Sequence, residues 1–209
     1  MPSQLRRTLL FVPGIDERRF ESALGSGADT LVFDLEDSVA PSRKADAREL
    51  VAKTLRERHL GTVEGAVRVN PAGSPEFERD VQTVVAAGTR VIVLPKAEDA
   101  KLVAHLDGLL RGLEAEGQRV RILPLVEPPR GLLVAADLAA ASSRVEALCF
   151  GHVDFATAMG LEASPDAGHG VLHHARCQLA IAAHAAKVTA IDSACLTLRD
   201  EARFCRDAA

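Results

Sequence analysis

Five short apolar runs along this chain each contain ionisable residues or lead directly into them. Runs of this kind, separated by stretches with helical character, are typical of a barrel of parallel strands whose active site is built from the carboxyl ends of the strands. The pattern therefore bears on the fold and on the site together. The runs are Leu31–Phe33 before Asp34, Glu36 and Asp37; Val67–Val69 around Arg68; Val91–Leu94 before Lys96; Ile122–Val126 before Glu127; and Ala147–Phe150 before Asp154.

Strand and helix signals alternate along the chain with little interruption. The strand-like runs are nearly continuous in apolar character, as in strands buried on both faces of a parallel sheet, whereas half-exposed antiparallel strands alternate. Seven strands are predicted, at Thr8–Val12, Thr30–Leu35, Gly65–Val69, Arg90–Leu94, Arg119–Val126, Val145–Phe150 and Thr189–Leu196.

Helices are predicted in the intervals, with boundaries set by capping residues, prolines and glycines. Ser42 is the predicted N-cap of the second helix, and Ser74 with Pro75 opens the third. The predicted helices are Glu17–Leu24, Pro41 to about Arg58, Ser74 to Gly88, Asp99 to about Glu116, Pro129–Ala141 and His173–Lys187, with Asp200–Ala209 as the start of another.

Seven strand–helix units favour a (β/α) barrel over an open doubly wound sheet, and no G-x-G-x-x-G follows a strand to suggest a dinucleotide site. A complete eightfold barrel has about 250 residues, whereas this chain has 209. We therefore predict an α/β fold, a TIM (β/α)8-type barrel that is incomplete at its C-terminus with seven of eight strands present. It is expected to be a single domain over residues 1–209.

The composition of the chain limits the classes of molecule with which the protein can interact. The net charge of −4, without a basic run and without Trp or Tyr, argues against a nucleic-acid partner. No apolar run approaches the roughly 20 residues of a membrane-spanning helix, and the first residues do not resemble a signal peptide. We expect a cytoplasmic protein with no membrane partner. The cysteines, Cys149, Cys177, Cys195 and Cys205, form no C-x-x-C pair and are expected to be reduced and mostly buried.

Glu127 and Asp154 are the candidate metal ligands. They follow the fifth and sixth strands, which are neighbours in a barrel, so their carboxylates can converge on one hard divalent cation. Mg²⁺ is the predicted ion, since it prefers one or two carboxylates with water and substrate oxygens. The alternative is that the two residues cap the helices that follow them.

Arg68 interrupts an apolar strand, so its guanidinium is expected to point towards the barrel interior or mouth and to need an anion. It is a candidate catalytic and substrate-binding residue; the alternative is a structural ion pair with Glu36 or Asp37. Asp34, Glu36 and Asp37 crowd three carboxylates into four positions, which raises a pKa unless a cation intervenes. Glu36 and Asp37 are candidate catalytic residues that orient Arg68 or metal-bound water, unless they form a solvated loop.

Four residues are further candidates for substrate binding. Lys96, which follows Pro95, is a possible anion contact, with an ion pair to Glu36 or Glu127 as the alternative. Arg130 and Gly131 lie at a predicted helix start, which favours an anion. Arg18, Arg19 and Lys44 are either anion contacts near the first two strand ends or solvated residues. His152 is either a neighbour of the site or a surface or packed histidine, and the loop histidines are expected at the surface: His169, His173 and His174.

Six segments in order resemble the citrate lyase β-subunit (CitE-like) branch of the HpcH/HpaI aldolase family. They are Arg7–Gly14, Val32–Asp37, Arg68–Asn70, Leu94–Lys96, Val126–Gly131 and Phe150–Asp154. The resemblance implies that the glutamate and aspartate matching Glu127 and Asp154 ligate the metal and that the arginine matching Arg68 binds substrate. It also implies that an aspartate after an eighth strand assists at the site.

The resemblance implies a Mg²⁺-dependent carbon–carbon lyase that cleaves 3-hydroxy-acyl thioesters, such as citryl-, citramalyl- or malyl-CoA, by a retro-aldol or retro-Claisen reaction. The small-molecule partner would be a thioester of coenzyme A or of an acyl carrier. There are two alternatives to a lyase: a thioesterase that uses the same metal site, and a non-catalytic CitE-like subunit. A homo-oligomer, trimer or hexamer, is expected.

Overall fold

The computed structural model of this protein describes residues 5–58, 60–161, 170–197 and 199–208. Its strands lie in the sheet in chain order, from the first to the seventh, and each registered pair is parallel. The strands are β1 (Leu9–Pro13), β2 (Thr30–Asp34), β3 (Glu64–Arg68), β4 (Val91–Leu94), β5 (Arg121–Val126), β6 (Ala147–Phe150) and β7 (Thr189–Ile191).

Helices connect the strands, as parallel pairing requires. They are α1 (Glu17–Leu24), α2 (Lys44–Glu57), α3 (Phe77–Ala86), α4 (Ala100–Leu113), α5 (Pro129–Leu133), α6 (Ala135–Ala140), α7 (His152–Ala158), α8 (Val171–Ala185) and α9 (Glu201–Ala208), with a 3₁₀ turn over Pro41–Arg43.

The chain divides into two compact units. The first comprises Met1–Pro95 and Leu102–Leu123, and the second comprises Lys96–Lys101 and Pro124–Ala209. The first contains β1 to β4 and the beginning of β5, and the second contains the rest of β5 with β6 and β7. The prediction of one domain over residues 1–209 stays a prediction.

The core of the first unit is built on β2 and β3. Every residue of β2 is buried, which explains its unbroken apolar run. Phe33 of this strand packs edge-on against Phe20 of α1, with ring centroids 4.9 Å apart. At the other end of the strands, buried Glu64 opens β3 and pairs with Arg6 at 2.6 Å and with Arg121 at 2.6 Å. This cluster neutralises a carboxylate that would otherwise be costly to bury.

Two predicted helix starts are wrong. Ser42 caps nothing: it lies inside the 3₁₀ turn, and α2 begins at Lys44 without a side-chain cap. The third helix begins at Phe77 rather than at Ser74, because the chain first makes a turn in which the Phe77 N–H donates to the Ser74 carbonyl oxygen at 3.3 Å.

The second unit departs further from the predictions. The single helix expected over Pro129–Ala141 is two helices, broken at Val134, whose φ of −112° and ψ of 18° are not helical. The seven-residue α7 was not predicted; it follows Gly151, and Asp154 lies in its first turn. β7 has three residues because the chain leaves the strand at Asp192, whose carboxylate accepts from Arg176 Nε at 2.9 Å.

All four cysteines are free, as expected. Cys149 is buried and Cys195 half-buried, but Cys177 and Cys205 are exposed, so the expectation that most are buried is wrong for the residues on α8 and α9. Across the described residues, no helix has the length and apolar character needed to cross a membrane.

Candidate functional site

Arg68 and Asp34 form a buried bidentate pair at the carboxyl ends of β2 and β3. The two residues are register partners on adjacent strands. Arg68 Nε lies 2.6 Å from Asp34 Oδ1, and Nη2 lies 2.7 Å from Oδ2. Asp34 is 2% exposed and Arg68 is 9% exposed. A two-pronged pair of this kind fixes the plane of the guanidinium.

The third nitrogen of Arg68 faces two more carboxylates. Arg68 Nη1 lies 3.1 Å from Glu36 Oε2 and 3.4 Å from Asp37 Oδ2. Glu36 is buried, whereas Asp37 is exposed. The Arg68 guanidinium also lies 5.2 Å from the centre of the Phe11 ring, a favourable cation–π geometry. The structure thus brings Arg68, Glu36 and Asp37 together, an arrangement that fits both the predicted orienting role of the two acidic residues and the alternative of a structural ion pair.

Asp34 is the partner that sequence reasoning did not assign to Arg68. The pairing depends on the register of β2 and β3, which places Asp34 opposite Arg68 and which the sequence pattern of either strand does not specify. Burial raises the pKa of Asp34, but the hydrogen bonds and charge of Arg68 outweigh it, so the pKa lies below its usual value. Burial also lowers the pKa of Arg68, but the hydrogen bonds and charge of Asp34 outweigh burial, so the pKa of Arg68 is raised.

The loop that follows Asp34 folds around its carboxylate. Asp34 Oδ1 accepts from the Glu36 N–H at 2.9 Å, and Oδ2 accepts from the N–H and hydroxyl of Ser38. Lys44 Nζ donates to the carbonyl oxygens of Leu35 at 2.8 Å and Glu36 at 2.6 Å. Burial lowers the pKa of Lys44, and the acidic neighbours partly offset this. Lys44 therefore anchors the loop.

Glu127 is a buried carboxylate directly after β5. It is 4% exposed, and its Oε2 accepts from the Lys96 backbone N–H at 2.7 Å. The residue that caps α5 is Pro128, with no side-chain cap, so the alternative that Glu127 caps this helix is wrong. Gly151 makes room for Glu127: a Cβ at this glycine would overlap the Glu127 side chain.

Asp154 is half-buried in the first turn of α7. Gly151 occupies the N-cap position, so Asp154 is not the N-cap of that helix. His152, at the first position of α7, is half-buried. Burial lowers its pKa; the charge of Asp192 opposes this shift and the charge of Arg176 adds to it.

The other predicted substrate-binding residues differ in environment. Pro95 is buried, Lys96 is half-buried with a left-handed φ of 51°, and Arg130 is exposed. The Gly131 N–H donates to the Pro128 carbonyl oxygen at 2.9 Å. Gly131 lies against the Ala97 carbonyl oxygen so closely that a Cβ would overlap it. The small size of Gly131 is explained by packing, and a role in substrate binding stays a prediction.

The remaining candidates are surface residues. Arg18 and Arg19 are exposed, as are His173 and His174. Arg19 Nε lies 3.5 Å from Asp16 Oδ2. His169 lies outside the described residues.

Glu127 and Asp154 have the chemistry of a Mg²⁺ site. Both offer carboxylate oxygens, the hard ligands that this ion prefers, and Mg²⁺ is commonly bound through one or two carboxylates with water and substrate completing the octahedron. A buried carboxylate needs compensating positive charge or hydrogen bonds, and a half-exposed second ligand leaves room for other oxygens. The residues present fit the predicted ion.

Comparison with known sequences gives the family. The profile of the HpcH/HpaI aldolase/citrate lyase family matches residues 7–209. The chain belongs to this family. It is 35% identical over 208 residues to the citrate lyase subunit beta of Leuconostoc mesenteroides subsp. cremoris, covering 98% of this chain and 68% of that protein. It is 34% identical over 166 residues to an L-malyl-CoA/beta-methylmalyl-CoA lyase of Rhodobacter capsulatus, covering 77% and 52%.

A solved structure shows the same fold. The citrate lyase beta subunit from M. tuberculosis, complexed with oxaloacetate and magnesium, superposes with a TM-score of 0.75 at 31% identity, over 92% of this chain and 80% of that one. The predicted family and fold class are confirmed. The prediction of an enzyme is confirmed at the level of the class, since the relatives are named lyases.

Proposed function

We propose that this protein is a Mg²⁺-dependent carbon–carbon lyase that cleaves a 3-hydroxy-acyl thioester into an oxo acid and a shorter acyl thioester. Citryl-, citramalyl- and malyl-type thioesters of coenzyme A or an acyl carrier are the proposed substrate class, because the relatives are citrate and malyl-CoA lyases. The strongest support in this chain is Arg68, a buried guanidinium fixed at a strand end by Asp34.

Arg68 is proposed to bind an anionic oxygen of the substrate. In this cleavage the hydroxyl group loses its proton to a base and its carbon becomes a carbonyl as the carbon–carbon bond breaks. The electron pair of that bond passes to the thioester as an enolate, which takes up a proton to give the shorter acyl thioester. A fixed guanidinium stabilises such developing negative charge at little cost in reorganisation. Glu36 and Asp37 are proposed to hold Nη1 of Arg68 in place, which supports the orientation set by Asp34.

Glu127 and Asp154 are proposed to hold Mg²⁺. When bound, the ion supplies a divalent charge that polarises a carbonyl and orients an oxo acid. The hydrogen bond from the Lys96 N–H fixes Glu127 Oε2, and the missing side chain of Gly151 gives the stem of Glu127 its space. Pro95, Lys96, Arg130 and Gly131 are proposed to contribute to substrate binding beside them.

Product analysis distinguishes this proposal from a hydrolase. Purified protein is incubated with Mg²⁺ and a panel of 3-hydroxy-acyl-CoA esters, and the products are separated by mass. We expect an oxo acid and a shortened acyl-CoA in equal amounts. Free coenzyme A together with an intact hydroxy acid would show that the protein is a thioesterase rather than a lyase. The absence of turnover with the CoA esters and with the matching acyl-carrier thioesters would favour a non-catalytic subunit.

A further inference from the structure

The segment after Arg68 is held by a buried carboxylate on α3. Asp80, in the first turn of this helix, is fully buried. Its Oδ2 accepts from the Asn70 backbone N–H at 2.9 Å and from Asn70 Nδ2 at 2.6 Å. Asn70 follows Arg68 by two residues, and between them the Val69 N–H donates to the Val93 carbonyl oxygen of β4 at 3.4 Å. Asp80 therefore holds the chain at Asn70, just beyond the last contact with a neighbouring strand.

Asp80 is in turn tied to α2. Its Oδ1 accepts from Arg48 Nε at 2.6 Å, and Arg48 Nη2 pairs with Glu76 before α3. Burial acts against the charge of Arg48, but Asp80 and Glu76 outweigh it and raise the pKa of Arg48. The two oxygens of Asp80 thus join helix α2 on one side to the exit of β3 on the other.

Helix α2 also holds the loop between β2 and α2, through Lys44. Lys44, one turn before Arg48, donates to the carbonyl oxygens of Leu35 and Glu36. Residues four apart lie on one face of a helix. This face thus supports the loop that carries the acidic partners of Arg68 and, through Asp80, the segment that follows Arg68.

We propose that Arg48 and Asp80 are positioning residues for Arg68, acting through Asn70. The inference rests on the proposed function for its catalytic meaning, because Arg68 is the group being positioned. Neither residue is proposed to touch substrate. A guanidinium that must meet a substrate oxygen is sensitive to small errors in placement: a displacement of about 1 Å can cost about 100-fold in rate.

Asp80→Asn is the test variant, and Glu64→Gln is its matched control. An amide in place of the Asp80 carboxylate turns an NH₂ group towards either Arg48 or Asn70, both of which are donors, so one link is lost. Glu64 is also buried and ion-paired with arginine, and it opens the strand that Arg68 closes. Both variants are expected to lower the unfolding temperature.

Two measurements separate positioning from general loss of stability. The first is the affinity for oxaloacetate in the presence of Mg²⁺, by calorimetry well below the unfolding temperature. We expect the Kd to rise about tenfold or more in Asp80→Asn and to stay within about twofold of wild type in Glu64→Gln. The second is the Nε–H resonance of Arg68 in the ligand-free protein, assigned by its loss in Arg68→Lys, which should shift or broaden only in Asp80→Asn.

An unchanged Kd and an unchanged Arg68 resonance in Asp80→Asn would overturn the proposal. If wild-type protein neither binds oxaloacetate nor turns over a thioester, the proposed function fails, while the Arg68 resonance still decides whether Asp80 positions this residue. Should Asp80→Asn not fold, Arg48→Gln breaks the link to α2 and leaves the hydrogen bonds between Asp80 and Asn70 in place. It is then expected to move both readouts in the same direction by a smaller amount.

Discussion

Arg68 is a buried charge whose three guanidinium nitrogens all face acidic side chains. A bidentate carboxylate, Asp34, uses Nε and Nη2, and Glu36 and Asp37 lie beside Nη1. Removing one partner of a buried ion pair typically costs about 3–5 kcal/mol.

The free energy of unfolding is expected to depend on pH through the ionisation of Asp34. In the wild type the pKa of Asp34 is depressed, so its stabilising contribution is present above about pH 3.9, the unfolded pKa, and is lost as the pH falls through the folded pKa. In Arg68→Met the cation is gone, and burial, the largest influence on this carboxyl, is expected to outweigh the hydrogen bonds from Ser38 and the Glu36 N–H and to raise the pKa of Asp34. The unfolding free energy of this variant is therefore expected to increase on acidification from pH 7 towards pH 4.

Urea unfolding at several pH values checks this prediction. The double variant Arg68→Met/Asp34→Asn is the control, and it should lose most of the gain at acidic pH. A wild-type-like pH profile in Arg68→Met would mean that Arg68 does not determine the ionisation of Asp34.

For single residues, the sequence indicated which side chains are buried and charged, but it was less informative about which residues they contact. A charged residue inside an apolar strand indicates a buried cation, and Arg68 is one. Its main partner depends on strand register, which places Asp34 opposite Arg68 and which no local pattern reveals. Lys44 was expected either in solvent or at an anion; its actual partners are backbone carbonyl oxygens, which carry no sequence signal.

Among the structural elements, α5 depends on one close backbone approach. Gly131 packs against the Ala97 carbonyl oxygen with no room for a side chain. Gly108 is an exposed glycine within α4, and a Cβ added there would meet no atom within 4 Å. The two glycines therefore make a matched pair in which the same substitution has opposite consequences.

We expect Gly131→Ala to lower the unfolding free energy by about 1–3 kcal/mol, as overpacking usually does. Gly108→Ala is expected to raise it by about 0.5–1 kcal/mol, because alanine is the better helix former. Urea unfolding at one pH measures both. Equal stability of the two variants would show that the Ala97 contact does not constrain Gly131.

Element existence was more predictable than element ends. The strands β2 to β6 are almost entirely buried, and burial on both faces explains their continuous apolar runs. β1 and β7 were also predicted, although most of their residues are half-buried or exposed. Short helices were not predicted well: α7 has seven residues, too few for a periodic pattern to stand out. The break at Val134 also carries no proline or glycine to announce it.

The oligomeric state of the whole molecule stays a prediction: a homo-oligomer, either a trimer or a hexamer. Exposed apolar side chains on α8, Val171 at 44% and Ile181 at 70% exposure, offer surface for contact with another copy. We expect sedimentation velocity to give a mass of three or six chains. Ile181→Lys should reduce that mass if α8 forms the contact, whereas a monomer in the wild type at all concentrations would contradict the prediction.

The proposed Mg²⁺-dependent lyase activity depends on Glu127 and Asp154 as the residues that hold the ion. The most direct test is a Mg²⁺ titration of wild type and Glu127→Gln, with binding followed by calorimetry and turnover followed by release of the oxo acid. A neutral amide keeps the shape of the side chain and removes the charge that a hard cation requires.

We expect wild-type turnover to require Mg²⁺ and to cease when the ion is chelated. Glu127→Gln should stay folded, bind Mg²⁺ at least tenfold more weakly, about the size of effect seen when a metal site is perturbed, and lose turnover at Mg²⁺ concentrations that saturate the wild type. Normal Mg²⁺ affinity in Glu127→Gln, or wild-type turnover that persists without the ion, would contradict the account.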